Sequence, residues 1–269
     1  MDYGGIDRVN LKNGKLFPGF WKVLAVDLSR AFWPPSMIFA IAGCFMVLLI
    51  NNMNYSTGLD AVYYFSHAAS GNFSFLLCLF ASVPYAGSCL VEMRNNYNCL
   101  FRIRSGKDCY LCSKCIAVFI SGFVVAALGC ICYILVFSLF FPVSGGIHID
   151  YDGFEQLIYS SNVIVYYGVK IWLLSYLGGS MAVIAFCMSG IVNNVYAVWG
   201  FPVVLFYVWN SLGNIFSLPG YVHLRVLLSV PVMGTIYGSI VYSCCFYTAL
   251  MFVFMYIGFP YLRRKLTNG

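Results

Sequence analysis

The chain has 269 residues, of which 61% are hydrophobic and only 9% are charged. Soluble domains carry about 25% charged residues, so this chain cannot cover a water-facing surface and must expose much of its periphery to lipid. Helices satisfy their own backbone hydrogen bonds in lipid, and the composition therefore predicts an all-α, polytopic membrane protein. The basic residues behind the formal net charge of +6 are clustered in a few segments, as expected of a topology signal. Nucleic-acid binding is therefore excluded as the explanation of this charge.

Residues 1–32 are predicted to form a cytoplasmic arm followed by an amphipathic helix at the membrane interface. The apolar residues of this helix share one face: Phe17, Phe20, Trp21, Leu24, Leu28, Ala31 and Phe32. Lys22, Asp27 and Arg30 lie off that face in the prediction. Aromatic residues with a basic flank are typical of interfacial helices. The alternative is a loose segment that precedes the membrane.

Residues 33–261 are predicted to form a domain of six transmembrane helices, because about 20 apolar residues are needed to cross roughly 30 Å of hydrocarbon. The predicted spans are residues 33–53, 73–91, 116–141, 171–191, 195–216 and 236–261. The connections 54–72 and 142–162 contain no Lys or Arg, and residues 262–269 form a basic cytoplasmic tail.

Residues 218–234 are apolar but contain Pro219, His223, Arg225 and Pro231. The longest uninterrupted part is too short to cross the bilayer. We therefore expect a re-entrant or interfacial hairpin before the last span.

The basic residues predict the orientation of the chain. With six spans, thirteen of the fifteen Lys and Arg residues lie on one side, and the positive-inside rule places both termini in the cytoplasm. Arg225 lies on the other side. Lys170 lies at the predicted outer end of the fourth span, where its long side chain is expected to reach water.

Residues 93–115, here called the polar island, hold five of these basic residues between two long apolar runs. We expect a short helix over residues 95–101 that docks on a soluble partner, with Leu100 and Phe101 as its apolar anchors. Arg102 and Arg104 are expected to set its angle, and Arg104 can form a two-pronged bond with Glu92. The alternative is that these arginines only hold the loop in the cytoplasm and contact lipid headgroups.

The sequence contains no catalytic constellation and no GxxxxGK[ST] phosphate loop, so the chain is not expected to be an enzyme or to bind ATP by that route. Cys109, Cys112 and Cys115 have the C-x2-C-x2-C spacing of an iron–sulfur run, and Cys99 could be a fourth ligand. The usual fourth position and the Cys-Pro ending are missing. We therefore expect no metal and no cofactor in this chain.

Seven residues in and around the polar island carry a resemblance to a known family: Pro84, Tyr85, Glu92, Arg104, Tyr110, Ser113 and Lys114. With the six-span layout, they make the chain resemble the membrane permease subunits of bacterial ABC transporters of the type-2 exporter family. The layout covers essentially the whole chain, and the residue pattern covers residues 84–114.

The resemblance implies a multi-pass permease of the bacterial plasma membrane that pairs with a second permease copy or homologue. A separate ABC ATPase subunit would bind the ATP, and membrane lipid would be the other partner. The ATPase-coupling residues would be Glu92, Arg94, Leu100, Phe101, Arg102, Arg104, Tyr110 and Lys114. The substrate, the direction of transport and the choice between homodimer and heterodimer stay open.

Two other classes of protein stay open besides an ABC permease. A self-contained secondary transporter or channel usually has ionisable groups at the bilayer midplane and interrupted helices in both halves. A non-transporting assembly or sensory subunit is the other alternative. A neighbouring reading frame that encodes an ATPase would favour the permease.

The charge distribution makes a topological prediction. Asp152→Cys and Lys265→Cys, each introduced where the accessible native cysteines have been replaced, should react with an impermeant maleimide from opposite sides of the membrane. Intact cells should label only Asp152→Cys, and permeabilised cells should label both. Labelling of both positions in intact cells would contradict the six-span arrangement.

Overall fold

A computed structural model describes residues 20–52, 60–70, 72–94, 107–143, 153–154, 157–158 and 162–268. All regular secondary structure in these ranges is helical. The α-helices are α1 (Phe20–Phe32), α2 (Pro35–Asn52), α3 (Ala61–Ser70), α4 (Phe73–Ser82), α5 (Ser88–Arg94), α6 (Lys107–Phe140), α7 (Val163–Met188), α8 (Val195–Ile215), α9 (Val226–Ser229) and α10 (Ile236–Asn268). A 3-10 turn covers Gly220–Val222.

Five helices in the described part of the chain are long and apolar enough to cross a membrane, namely α2, α6, α7, α8 and α10. They confirm the prediction of an all-helical, multi-pass membrane protein. The predicted span over residues 73–91 is divided into α4 and α5 by turns at residues 83–87. Neither piece alone is long enough to cross.

Contacts between the helices define two ends of the bundle. The island end contains α1, the end of α5 and the start of α6. The hairpin end contains α3, α9 and the start of α10. Helix α7 is the most buried of the long helices, and it packs against α4, α6, α8 and α10. It therefore forms the centre of the bundle.

Small residues allow α4, α6 and α7 to pack closely. A Cβ atom added at Gly122 would lie 2.8 Å from the Cβ of Ala182 and 3.0 Å from the carbonyl oxygen of Gly178. A Cβ at Gly178 would lie 3.3 Å from the Cβ of Ala81. Lipid tails are as apolar as leucine, so helices in a bilayer associate through such close contacts rather than through a hydrophobic force.

The hairpin segment, residues 218–234, contains only the 3-10 turn and the four-residue α9. Leu224 and Leu227 are buried, and their carbonyl oxygens accept hydrogen bonds from Tyr247 and Ser243 of α10 at 3.1 and 3.2 Å. The segment thus folds back onto α10, the helix that follows it. The chain enters and leaves the segment at the same end of the bundle.

Several expected boundaries differ from the structure, among them the start of α6, which lies at Lys107 rather than near residue 116. We expected a loop over residues 54–72, but residues 61–70 form α3, and Phe65 and Ala68 of this helix are buried in the core. We expected a separate tail after residue 261, but α10 continues to Asn268. Residues 1–19 lie outside the described ranges.

The close contact at Gly122 generates a stability prediction. Gly122→Ala should destabilise the protein by about 1–3 kcal/mol, because the new methyl group overlaps a Cβ atom and a backbone oxygen that cannot move aside. Gly168→Ala in α7 is the matched control, since a Cβ there meets nothing within 4 Å. Thermal unfolding in detergent should separate the two variants. Equal melting temperatures would contradict the packing described.

Candidate functional site

Helix α1 brings a carboxylate into the protein interior at the island end. Asp27 is only 2% exposed, and Leu24 and Ala31 are buried on the same face. The prediction that Asp27 lies off the apolar face is therefore wrong. Trp21, which was expected on the apolar face at the membrane interface, is 77% exposed within the protein. A buried carboxylate is costly without partners, so its surroundings decide what it does.

Hydroxyl groups from two other segments bind Asp27. The Tyr85 hydroxyl donates to Oδ1 at 3.0 Å, and the Ser113 hydroxyl donates to Oδ2 at 2.6 Å. The Nζ of Lys114 lies 3.9 Å from Oδ1. One side chain of α1 is thereby joined to the turn after α4 and to the first turns of α6.

Lys114 lies at the centre of this cluster and is fully buried. Its Nζ donates to Oε1 of Glu92 at 2.7 Å and to the hydroxyls of Tyr85 and Ser88 at 3.3 Å each. The ammonium also lies 4.8 and 5.2 Å from the ring centroids of Tyr85 and Tyr110. Three hydrogen bonds use all three ammonium protons.

Glu92 connects this buried site to the protein surface. The Tyr110 hydroxyl donates to Oε2 of Glu92, and the exposed Arg30 places Nη1 3.6 Å from Oε1. Two carboxylates therefore face two cations, which makes the group electrically neutral. We call this group the buried charge cluster; its members are Asp27, Arg30, Tyr85, Ser88, Glu92, Tyr110, Ser113 and Lys114.

The interruption between α4 and α5 shapes one wall of the cluster. Pro84 has no backbone N–H and cannot continue a helical hydrogen-bond ladder. The turns at residues 83–87 bring Tyr85 inward, and Gly87 lies so close to α8 that an added Cβ would be 2.9 Å from Val195. A cavity of about 280 Å³ opens beside this turn. Its lining includes Arg30, Ser36, Pro84, Ser88, Glu92 and Trp199.

The structure brings together three of the predicted coupling residues, Glu92, Tyr110 and Lys114. Arg94 is exposed at the end of α5. Four predicted residues lie outside the described ranges: Leu100, Phe101, Arg102 and Arg104. The pairing of Glu92 with Arg104 stays a prediction, while Lys114 and Arg30 are the cations that the structure places against Glu92.

Asp27, Arg30 and Ser88 belong to the cluster but were not predicted as site residues. A signal for Asp27 existed, because Leu24, Asp27 and Ala31 have the three- and seven-residue spacing of one helical face. An apolar helical face that includes an acid indicates that the acid has a buried polar partner. It does not indicate a face that contacts lipid. Ser88 carries no comparable signal in the sequence.

Three cysteines of the polar island lie in the first turns of α6. Cys109 and Cys115 are buried, and Cys112 is partly buried. Within the described residues, no group of three His, Cys, Asp or Glu side chains is arranged to hold a metal ion. Cys99 lies outside those residues, so the metal-free state stays a prediction.

Lys170 is a second buried cation, near the hairpin end. It lies two turns inside α7, is 6% exposed, and donates from Nζ to the carbonyl oxygen of Leu228 at 2.8 Å. The ammonium also lies 5.0 Å from the ring centroid of Phe154. The prediction that Lys170 extends to water at the end of a span is therefore wrong. The helix begins earlier than expected, and the hairpin segment covers the side chain.

The hairpin end also contains a cavity of about 930 Å³ between α4, α8 and the hairpin segment. Its polar lining includes Asn210, Asn214, His223 and Arg225, and Phe75 and Tyr207 form aromatic walls. Asn210 accepts a hydrogen bond from the backbone N–H of Arg225 at 3.2 Å. The side chain of Arg225 donates to the carbonyl oxygen of Ser70 at 3.0 Å and so ties the hairpin segment to α3.

Comparison of the sequence with models of known protein families and with curated proteins gives no match.

The buried charge cluster generates a stability prediction. Lys114→Met should destabilise the protein by about 3–5 kcal/mol, because two carboxylates then share only the exposed Arg30 in an apolar surrounding. Lys22→Met removes a lysine from the exposed face of α1 and should change stability by less than about 0.5 kcal/mol. Thermal unfolding of both variants in detergent measures the difference. A Lys114→Met variant as stable as Lys22→Met would show that the cluster contributes nothing to the fold.

Proposed function

We propose that the chain is the membrane-spanning permease subunit of an ATP-driven ABC exporter, coupled to a separate ATPase through the polar island. The observation that supports this most is the buried charge cluster. It unites five residues of the pattern on which the resemblance rests, which are far apart in the sequence: Tyr85, Glu92, Tyr110, Ser113 and Lys114.

The position of the cluster suits force transmission. Helix α5 leads into the polar island and α6 leads out of it, and Glu92 of α5 contacts Tyr110 and Lys114 of α6. Asp27 attaches α1 to the same group. A displacement of the polar island by a docked ATPase would therefore move α1, α5 and the start of α6 as one unit.

The interruption at residues 83–87 gives this unit a place to bend. Helix α4 packs against α2, α6, α7 and α8, while α5 belongs to the cluster. A proline inside a helical segment removes one ladder hydrogen bond and permits a kink. ATP-driven motion of the island can thus tilt α5 while α4 stays in the bundle.

The same interpretation assigns α4 and α5 together as the sixth crossing, over residues 73–94. Asn72 begins this segment at the hairpin end, and Glu92 meets Arg30 at the island end. Six crossings put both termini on one side, which the thirteen clustered basic residues assign to the cytoplasm. In this proposal a second permease copy or homologue completes the pathway in the bacterial plasma membrane.

A self-contained secondary transporter is the second candidate. Lys170 favours it, because ionisable groups buried within a span mark ion and substrate pathways. The interruption between α4 and α5 is also typical of such transporters. The two candidates differ in their energy source. A permease gives vanadate-sensitive ATP hydrolysis only in complex with its ATPase, whereas a secondary transporter works alone on an ion gradient.

The polar island is the region in which the permease proposal is tested. Phe101→Ala removes an apolar anchor, and Arg104→Lys keeps the charge but loses the two-pronged hydrogen-bond geometry. Both variants should reach the membrane at wild-type levels but lose association with the proposed partner ATPase. Co-purification of the ATPase measures this loss.

Phe39→Ala is the matched control, because Phe39 is an exposed aromatic residue of α2 outside the polar island. This variant should co-purify with the ATPase as the wild type does. Wild-type levels of complex and transport in both island variants would show that the loop serves only as a topological anchor.

A further inference from the structure

A groove of about 580 Å³ lies at the island end between the start of α6 and the end of α10. Leu111, Tyr256, Phe259 and Pro260 form its apolar part. Arg263 and Arg264 are on one rim, with Asp108 opposite. The groove is outside the buried charge cluster, and no step of the proposed coupling uses it.

The lengths of the two helices place this groove at the depth of lipid headgroups. The apolar ranges of α6 and α10 contain 33 and 32 residues, or about 48–50 Å of helix at roughly 1.5 Å per residue. The hydrocarbon core is only about 30 Å thick, so both helices must extend beyond it. The uncharged run of α10 ends just before Arg263.

Aromatic side chains mark the same level on α10. Tyr256 and Tyr261 are exposed on the surface of α10. Tyr256 lies about two turns before Arg263, and Tyr261 lies just before it. Tyrosine is enriched where hydrocarbon meets headgroups, because its ring is apolar and its hydroxyl is polar. The groove therefore has its apolar part toward the acyl chains and its arginines toward the phosphates.

The charges of the groove fit an anion. Two guanidinium groups face one carboxylate, which leaves a net charge of +1. The contact between Arg263 and Asp108 is 3.3 Å long, and the two side chains are 63% and 64% exposed. Such an exposed pair is weak and screened by salt, so it leaves the guanidinium available to other acceptors. Arginine binds phosphate oxygens in a two-pronged geometry.

We propose that this groove binds the headgroup of an anionic phospholipid, with Arg263 and Arg264 on the phosphate and Phe259 and Leu111 against the glycerol and upper acyl chain. A lipid bound there bridges α6 and α10, two helices that otherwise have few contacts with each other. The inference does not depend on the proposed transport function.

The test uses the full chain, purified in a neutral detergent and stripped of lipid. Phosphatidylglycerol and phosphatidylcholine with identical acyl chains are added separately, and lipid adducts and thermal stability are measured. Phosphatidylglycerol should raise the melting temperature of the wild type, and phosphatidylcholine should not. The double variant Arg263→Gln/Arg264→Gln should bind phosphatidylglycerol at least about tenfold more weakly, since it loses the charge-assisted hydrogen bonds to the phosphate.

Lys22→Gln is the control, because it removes a basic residue of the same end that does not line the groove. It should keep the wild-type response to phosphatidylglycerol. If the double variant does not fold, Arg264→Gln alone carries the test, because no ion pair of the described residues involves Arg264.

Three results would overturn the proposal. The first is a wild-type response to phosphatidylglycerol in the arginine variants. The second is an equal loss in Lys22→Gln, which would indicate diffuse attraction to the basic surface. The third is the same stabilisation by inorganic phosphate or by phosphatidylcholine, which would show that an anionic lipid is not the specific ligand.

Discussion

The arrangement at the island end depends on the burial of one ammonium group, that of Lys114. Moving a charge out of water costs several kcal/mol, and this cost is offset only when the geometry of its partners is good. The carboxylates of Glu92 and Asp27 supply that geometry. They are joined by the hydroxyls of Tyr85 and Ser88 and by the rings of Tyr85 and Tyr110. Because these partners come from α1, the turn after α4, α5 and α6, satisfying one charge fixes four segments relative to each other.

The interrupted segment separates two differently held parts of the bundle. Helix α4 contacts α6 and α7 through Ala81, Gly122 and Gly178, where no side chain is flexible enough to yield. Helix α5 buries Cys89 and Leu90, and its other contacts are the polar ones made by Ser88 and Glu92. The turn at residues 83–87 therefore lies between a part of the molecule held by close backbone packing and a part held largely by polar contacts.

Composition and charge were sufficient for the class of fold, because a shortage of charged residues leaves no soluble alternative. The borders of the helices were predicted less well. Helix α6 begins at Lys107 rather than near residue 116, since the polar first turns pack inside the protein instead of ending at the membrane surface. Helix α3 was missed because a ten-residue helix inside a connection has no membrane-length pattern.

The candidate site was predictable where it depended on a local pattern and unpredictable where it depended on a distant partner. Glu92 lies just before the polar island, Tyr110 and Lys114 lie within it, and all three were expected from the family resemblance. Asp27 was assigned to the wrong face because polarity alone favours exposure, and only the positions of Tyr85 and Ser113 show that burial is tolerated. Lys170 was misplaced for the same reason, since the covering carbonyl of Leu228 lies 58 residues away.

The separation of Asp27 from its partners along the chain has a consequence for biosynthesis. Asp27 and Ser113 are 86 residues apart, so α1 reaches the bilayer long before the groups that neutralise its carboxylate have been made. Until α6 is made, Asp27 lacks the Ser113 hydroxyl and the Lys114 ammonium that lie against it in the folded protein. The position of α1 in the finished bundle is therefore fixed only after more than a third of the chain has been synthesised.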